Sequence, residues 1–557
     1  MCPAPAAGTQ GAKTIVAGHL LAMRDLTIEG GIGVAPFPIV RGIDLELRRG
    51  EVLGIIGESG AGKSTIGLAA LGMVRPGCRL AGGTVAFDGI DLFRVDPSRG
   101  RRIRGTRIAY VAQSAAASFN PAHRLLKQTV EGARAHGLMS AAAAAAKAVS
   151  LYRLLRLPEP DRFGERFPHQ VSGGQLQRAM IAMAMMTDPD LIVFDEPTTA
   201  LDVTTQIEVL ASIKELVSSR DLSAIYVTHD LALVAQVAQR IMVLRHGAVV
   251  ETAQTRTMLR APREAYTRSL WAVRQLDKPA ASPAGPLLRL SGVHASYGQR
   301  PVLHDIELEL PRRHTVAVVG ESGSGKSTLA RVIAGILPPT SGRVALNGTE
   351  LAGSFRQRSA RELRRIQLVH QSPDTALNPR HTVREILGRP LALFDRLRGR
   401  VLEQRVLELL DMVGLDRKYM QRRPGELSGG EKQRIAISRA LAASPEIILC
   451  DEITSALDQI VQREVIDLLL ALQRRLDITY VFITHDFATV RAIADEVVVM
   501  HRGRIVEKGS KRQVFSPPHE PYTELLLSSV PEMDPTWLDG ILARRRADSE
   551  AHRTSLV

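Results

Sequence analysis

The chain contains one segment order twice. GIIGESGAGKSTIGLAALG at 54–72 returns as VVGESGSGKSTLARVIAG at 318–335. VSGGQLQRAMIA at 171–182 returns as LSGGEKQRIAIS at 427–438, and LIVFDEPTTALD at 191–202 as IILCDEITSALD at 447–458. Gly57 and Gly320 stand 263 positions apart, while Ser172 and Ser428, like Asp195 and Asp451, stand 256 apart. A constant order with so small a drift requires two copies of one domain, which fits a chain of 557 residues. Between the copies, LDKPAASPAGP at 276–286 is rich in Pro and Ala and reads as a short linker.

The strands and helices expected from this pattern alternate. EVLGIIGE and TVAVVGE are apolar runs ending in glycine-rich turns, and LIVFDE and IILCDE are apolar runs ending in two acids. Continuous apolar strands suit a sheet covered on both faces. Ala141–Ala146, followed by KAVSLYRLLRL, reads as a helix. With 45% hydrophobic and 23% charged residues, the chain as a whole is not disordered, collagen-like or a small disulfide scaffold.

Gly57-x₄-Gly62-Lys63-Ser64 and Gly320-x₄-Gly325-Lys326-Ser327 match the P-loop pattern, each after an apolar strand and before a helical run. The glycines, Gly60 and Gly323 included, let backbone N–H groups converge on phosphate oxygens at a helix N-terminus. Ser59, Thr65, Ser322 and Thr328 complete the two loops as phosphate-binding positions. Lys63 and Lys326 are placed to reach the β- and γ-phosphates, and the Ser64 and Ser327 hydroxyls to bind Mg²⁺. Asp195 and Asp451, ending the later apolar strands, are expected to hold the same ion through its waters. Glu196 and Glu452 suit a water-polarising role, because phosphoryl transfer to water needs a positioned nucleophile more than covalent chemistry.

In order, the P-loop, the Ser-Gly-Gly segment, the Asp-Glu pair and a following Thr-His-Asp resemble the ATP-binding cassette (ABC) family, over about residues 20–530. The resemblance implies an α/β fold. It comprises two P-loop NTPase ABC nucleotide-binding domains in tandem, each with a RecA-like core, a helical subdomain and a short C-terminal extension. The implied boundaries are 1–275, the linker 276–286, 287–530, and a basic tail 531–557. The signature segments would be Ser172-Gly173-Gly174-Gln175 and Ser428-Gly429-Gly430-Glu431, each contacting ATP held by the opposite domain. Lys63 would thus share a site with Ser428, and Lys326 with Ser172. Gln113 and Gln371 resemble the Q-loop residue that touches Mg²⁺, His229 and His485 the switch histidine, and Asp202 and Asp458 the D-loop. Tyr297 fits the aromatic that stacks on adenine. The first half has Val34 at the matching ungapped position, with Phe37 nearby. Glu431 stands where the family has Gln, and both catalytic glutamates are present.

A narrower resemblance follows each cassette. APREAYTRSL at 261–270 and PPHEPYTELL at 517–526 are similar to the tails of peptide, opine and nickel importer ATPases, with Tyr266 and Tyr522 again 256 apart. This implies an ATP-hydrolysing subunit energising import of peptides or similar small solutes, such as opines, nickel chelates or oligosaccharides. Its partners would be two separate transmembrane permease subunits and an extracytoplasmic substrate-binding protein acting through them.

The charge balance, 72 basic against 58 acidic residues for a net +14, suits nucleic acid, anionic lipid or phosphorylated ligands alike. It therefore fits a rival, the soluble tandem-cassette ATPase that acts on ribosomes. That rival carries a long charged helical insertion between cassettes and lacks the Pro-Tyr-Thr tail. A DNA-repair cassette ATPase would need zinc-binding cysteine pairs. Cys2, Cys78 and Cys450 form none, and no nucleic-acid partner is expected. The cysteines fit a reducing compartment. No apolar run approaches the ~18–20 residues that cross a bilayer, and MCPAPAAGTQGAKTIVAG lacks a secretory signal's charged start and apolar core. The expected place is the cytoplasmic face of the inner (plasma) membrane, reached through the permeases. Arg544-Arg545-Arg546 reads as a solvated end.

Overall fold

The computed structural model describes residues 18–31, 36–199, 201–272, 277–279, 284–455 and 457–544. Val34, Arg545 and Arg546 lie outside them. The described residues fall into two compact units, one of 1–197 with 209–261 and the other of 198–208 with 262–557.

In the first unit a six-stranded sheet runs in the order Ala248–Gln254, Arg240–Arg245, Val52–Gly57, Ser223–Val227, Leu191–Asp195, Ile108–Val111. Four of its five pairings are parallel, and the edge pair of Ala248–Gln254 with Arg240–Arg245 is antiparallel. Val52–Gly57, Leu191–Asp195 and Ser223–Val227 are buried along their whole length, the outcome expected of uninterrupted apolar runs under helices on both faces. The parallel register aligns Asp195 with Val227 and Gly57 with Leu244, so both motifs end at the carboxyl edge of the sheet, where open α/β sheets bind ligands. A four-stranded antiparallel sheet formed from His19–Gly30, Phe37–Arg48, Cys78–Phe87 and Ile90–Asp91 shares its apolar face with the helix after the P-loop.

Helices Leu125–Ala135, Ala141–Leu154 and Gly173–Met185 pack against one another in this unit. The alanine run is a helix as expected: the Ser140 hydroxyl caps it by accepting the Ala143 N–H, and it buries Ala144, Ala148, Leu151 and Tyr152. Tyr152 anchors the group, its ring edge-on to Phe163 at 5.2 Å and its hydroxyl on Thr129 at 2.7 Å.

The second unit repeats the plan. Its six strands run Ile366–Val369, Ile447–Asp451, Thr479–Ile483, Thr315–Val319, Glu496–His501, Arg504–Ser510, beside a second four-stranded antiparallel sheet. Helices Val383–Phe394, Gly399–Met412 and Gly429–Leu441 pack around Leu387, Val406, Leu409 and Ile435. The C-terminal helix Pro521–Ser528 buries Tyr522 and Leu526 in a cluster with Val319, Val497 and Val499 of the sheet. Lys278, within the expected linker, belongs to this unit and reaches its interior.

Candidate functional site

Each P-loop is a turn that only glycine could make. Gly57 has φ +154° and Gly320 φ +148°, and a Cβ on either would lie 2.3 or 2.2 Å from the carbonyl oxygen of Leu244 or Met500. Gly62 and Gly325 start the following helices in the left-handed region, with no side chain capping the first turn. A helix start without a capping side chain is the arrangement that leaves backbone amides to cradle phosphate. Lys63 and Lys326 are about 95% buried. Lys63 Nζ donates to the carbonyls of Gly57 and Glu58 at 2.8 Å, and Lys326 Nζ to those of Gly320 and Glu321 at 2.8 and 2.7 Å. Burial pulls the Lys326 ammonium below its ordinary value, opposed by Glu452 and Asp451.

The metal-binding expectations come together as pairs. Ser64 Oγ donates to Asp195 Oδ1 at 2.9 Å, and Ser327 Oγ to Asp451 Oδ1 at 2.8 Å. These are hard oxygen donors of the kind Mg²⁺ takes together with waters and nucleotide phosphates rather than in an all-protein cage. No group of three or more His, Cys, Asp or Glu is placed to hold a metal among the described residues. Burial raises the Asp451 carboxyl, with the Ser327 hydroxyl opposing it.

Glu196 and Glu452 both take a left-handed backbone, φ +49°, costly for a residue with a side chain. Their N–H groups are held on the carbonyls of Val227 and Ile483, one strand over. Each carboxylate is gripped from two sides. Gln113 Nε2 donates to Glu196 Oε2 at 2.9 Å and Gln371 Nε2 to Glu452 Oε2 at 2.7 Å. His229 Nδ1 lies 3.4 Å from Glu196 and His485 Nδ1 3.6 Å from Glu452. The Thr-His-Asp motif explains this aim. Thr228 and Thr484 accept the N–H of Asp230 and Asp486, and those aspartates cap the next helices, leaving the histidine between two fixed residues. Burial disfavours the His229 and His485 imidazolium, but the neighbouring glutamates outweigh it and raise both histidines. The His485 ring in turn holds the Glu452 carboxyl below its usual range.

Ser172 and Ser428 are N-caps of helices Gly173–Met185 and Gly429–Leu441, in reciprocal capping boxes with Gln175 and Glu431. The residue at that third position only has to accept the serine N–H, so Glu431 serves as well as Gln175 does. Burial would raise Glu431, yet the Tyr419 hydroxyl and the Ser428 amide hold it below its usual value. Asp458 caps helix Gln459–Leu476.

The aromatic positions differ. Tyr297 is 43% exposed and its hydroxyl accepts from Arg331 at 2.9 Å, while Phe37 is 57% exposed. In the second unit a cavity of about 620 Å³ is lined by Lys326, Ser327, Gln371, Glu452 and His485. One site residue escaped the motifs: the Tyr110 hydroxyl donates to Asp195 Oδ2 at 2.6 Å. Burial and that carboxylate raise its phenol. Counting back from Gln113 and Gln371, its counterpart is Leu368, a difference visible between the repeats but with nothing in sequence to tie it to Asp195.

Parallel sheets that end in two phosphate cradles, each with an adjoining carboxylate pair and histidine, define a tandem P-loop ATPase. The family described as ABC transporter matches residues 40–199 and 303–455, and the family described as oligopeptide/dipeptide transporter, C-terminal region, matches 506–554. The glutathione import ATP-binding protein GsiA of Salmonella paratyphi A is 36% identical over 565 residues, covering 92% of this chain and 90% of that protein. GsiA of Escherichia coli K12 is 36% identical over 570 residues, covering 93% and 91%. A solved structure, cbiO1 of Clostridium perfringens, described as part of the ABC transporter complex cbiONQ, shares 29% identity over 41% of this chain and 90% of that one, with a TM-score of 0.38. The chain belongs to the ABC transporter family and is an ATPase of its tandem-cassette type.

Proposed function

We propose that the chain couples ATP hydrolysis to import of a peptide or a similarly small solute through two separate permease subunits, at the cytoplasmic face of the membrane. The observation that carries this reading is the C-terminal segment. Residues 506–554 match an oligopeptide/dipeptide transporter region, and relatives aligned over nine-tenths of the chain are import ATP-binding proteins whose printed substrate is glutathione. Among the described residues no helix is long and apolar enough to cross a membrane, and this reading assigns translocation to the permease subunits. A substrate-binding protein outside the membrane would deliver the solute to those permeases. Peptides, opines, nickel chelates and oligosaccharides are the solute classes this reading spans.

In each cassette Lys63 or Lys326 and the loop amides would bind the ATP phosphates. Ser64 with Asp195, and Ser327 with Asp451, would hold Mg²⁺ together with Gln113 and Gln371. The ion, when bound, supplies charge neutralisation at the β- and γ-phosphates. Glu196 and Glu452 would orient the attacking water, with His229 and His485 fixing each carboxylate and sensing the γ-phosphate. Tyr297 would carry the adenine ring of one nucleotide.

The test is affinity purification of the chain from gently solubilised native cells, with partners identified by mass spectrometry. Recovery of two polytopic membrane proteins is expected. Recovery of ribosomal proteins from the soluble fraction would overturn the importer reading and leave the ATP sites standing.

A further inference from the structure

The Pro-Tyr-Thr tail marks the chain's relationship to importers, but neither the sequence nor the ATP site gives that tyrosine a task. The fold places it beside the second P-loop. Helix Pro521–Ser528 is fixed at its start by Glu520, whose carboxylate accepts the N–H groups of Tyr522 and Thr523 at 2.8 and 3.1 Å. Tyr522 is 8% exposed, and its ring stacks on the His501 imidazole at 3.9 Å and 9°. Its hydroxyl accepts the backbone N–H of Glu321 at 3.0 Å.

That amide belongs to the peptide plane joining Gly320 to Glu321. The same plane's carbonyl, Gly320 O, accepts Lys326 Nζ at 2.8 Å. One face of Gly320 is closed by the Met500 carbonyl, adjacent to His501. The plane is thus held at its N–H by the tail, at its C=O by the P-loop lysine, and at its α-carbon by the strand that also carries the stacked histidine. A peptide at a glycine with positive φ turns freely unless something pins it, and here the pin is a phenol 201 residues away. Burial pushes that phenol up to about 12, and the neutral hydroxyl accepts the amide through an oxygen lone pair.

We propose that Tyr522 is a positioning residue for ATP binding in the second cassette, its hydroxyl fixing the Gly320–Glu321 peptide and through it the P-loop lysine. The inference rests on the P-loop and the tail within one compact unit and is independent of what the chain transports.

The experiment uses the full chain carrying Lys63→Ala, so that a fluorescent ATP analogue enters the second P-loop. Tyr522→Phe keeps the ring on His501 and removes only the hydroxyl; Tyr522→Ala removes both. With one hydrogen bond lost, Tyr522→Phe is expected to weaken analogue binding about five- to tenfold. Hydrogen exchange at 318–325 in the nucleotide-free protein is expected to speed up in the same variant, with the overall circular dichroism unchanged. Wild-type exchange and affinity in Tyr522→Phe, with loss confined to Tyr522→Ala, would reduce the tyrosine to packing and overturn the proposal.

Discussion

The Tyr110 hydroxyl donates to Asp195 Oδ2 at 2.6 Å while Ser64 holds Oδ1 at 2.9 Å, so the first cassette's aspartate is fixed at both oxygens. In the second cassette Ser327 holds Asp451 Oδ1 and Leu368 stands at the position that matches Tyr110. A carboxylate restrained at both ends meets the waters of a bound ion in one orientation, whereas one restrained at a single oxygen retains torsional freedom. The two sites are built differently at an otherwise duplicated residue.

Tyr110→Phe is therefore expected to weaken metal binding at the first site only. Residues that support a metal site from behind typically contribute about ten- to a hundredfold in affinity. Mn²⁺ titration by electron paramagnetic resonance, with a non-hydrolysable ATP analogue, reads this directly. In a Lys326→Ala chain the substitution should weaken Mn²⁺ binding, and in a Lys63→Ala chain it should change nothing. Equal effects in both backgrounds would remove the asymmetry.

For the glutamates the expectation is loss of turnover without loss of binding. Glu196→Gln and Glu452→Gln keep the shape and the contacts to Gln113 or Gln371 but remove the charge that polarises water. A positioned base contributes about 10²–10⁴ in rate, so the double variant should fall at least about a hundredfold and each single variant strongly. Nucleotide affinity should stay within about twofold of wild type. Near-wild-type hydrolysis in either single variant would take that glutamate out of the chemistry.

Much of this site was legible because its parts are contiguous. A P-loop, a Ser-Gly-Gly cap and an Asp-Glu strand end each specify a local backbone by residue type, and their repetition locates the two domains. The Thr-His-Asp motif is legible as a recurrence, but the aim of its histidine is set by hydrogen bonds of the flanking Thr and Asp that arise only in the folded chain. What the sequence hid are pairings without a motif. Tyr110 meets Asp195 across 85 residues, Tyr522 meets Glu321 across 201, and Lys278 meets Asp495 across 217. A tyrosine in a strand or a lysine in a Pro-Ala linker looks the same whether it ends in water or in the core, because only tertiary packing decides its partner.

The histidine–glutamate pairs make stability depend on pH. His229 and His485 have raised values in the folded chain, so the stability they contribute is present below about pH 6.5 and is lost as pH rises through the raised value. Glu452 has a lowered value, so its share is present above the ordinary carboxyl range and is lost as pH falls through the lowered value. Calorimetry of the nucleotide-free chain should show wild type exceeding a His229→Gln, His485→Gln variant most at about pH 5–6, with the gap closing toward alkaline pH. A gap that widens with rising pH would contradict the pairing.

Lys278 gives the last prediction. Its ammonium donates to Asp495 Oδ2 at 2.5 Å and to Gln473 Oε1 at 2.9 Å, while its own carbonyl accepts Lys511 Nζ at 2.7 Å. The Asp495 side chain is buried, and the same Oδ2 accepts the Thr315 N–H at 2.8 Å at the start of the strand leading into the second P-loop. Burial pulls the Lys278 ammonium below its ordinary value, against the hydrogen bond and charge of Asp495. Removing one partner of such a pair leaves an uncompensated charge inside and costs about 3–5 kcal/mol. Lys278→Ala should therefore destabilise the second unit by roughly that amount, and adding Asp495→Asn should recover part of it, since the amide oxygen still accepts from Thr315. The chain's two tryptophans, Trp271 and Trp537, both belong to that unit, so fluorescence-monitored urea unfolding reports it selectively. An unchanged urea midpoint in Lys278→Ala would show that the expected linker is not anchored through this lysine in solution.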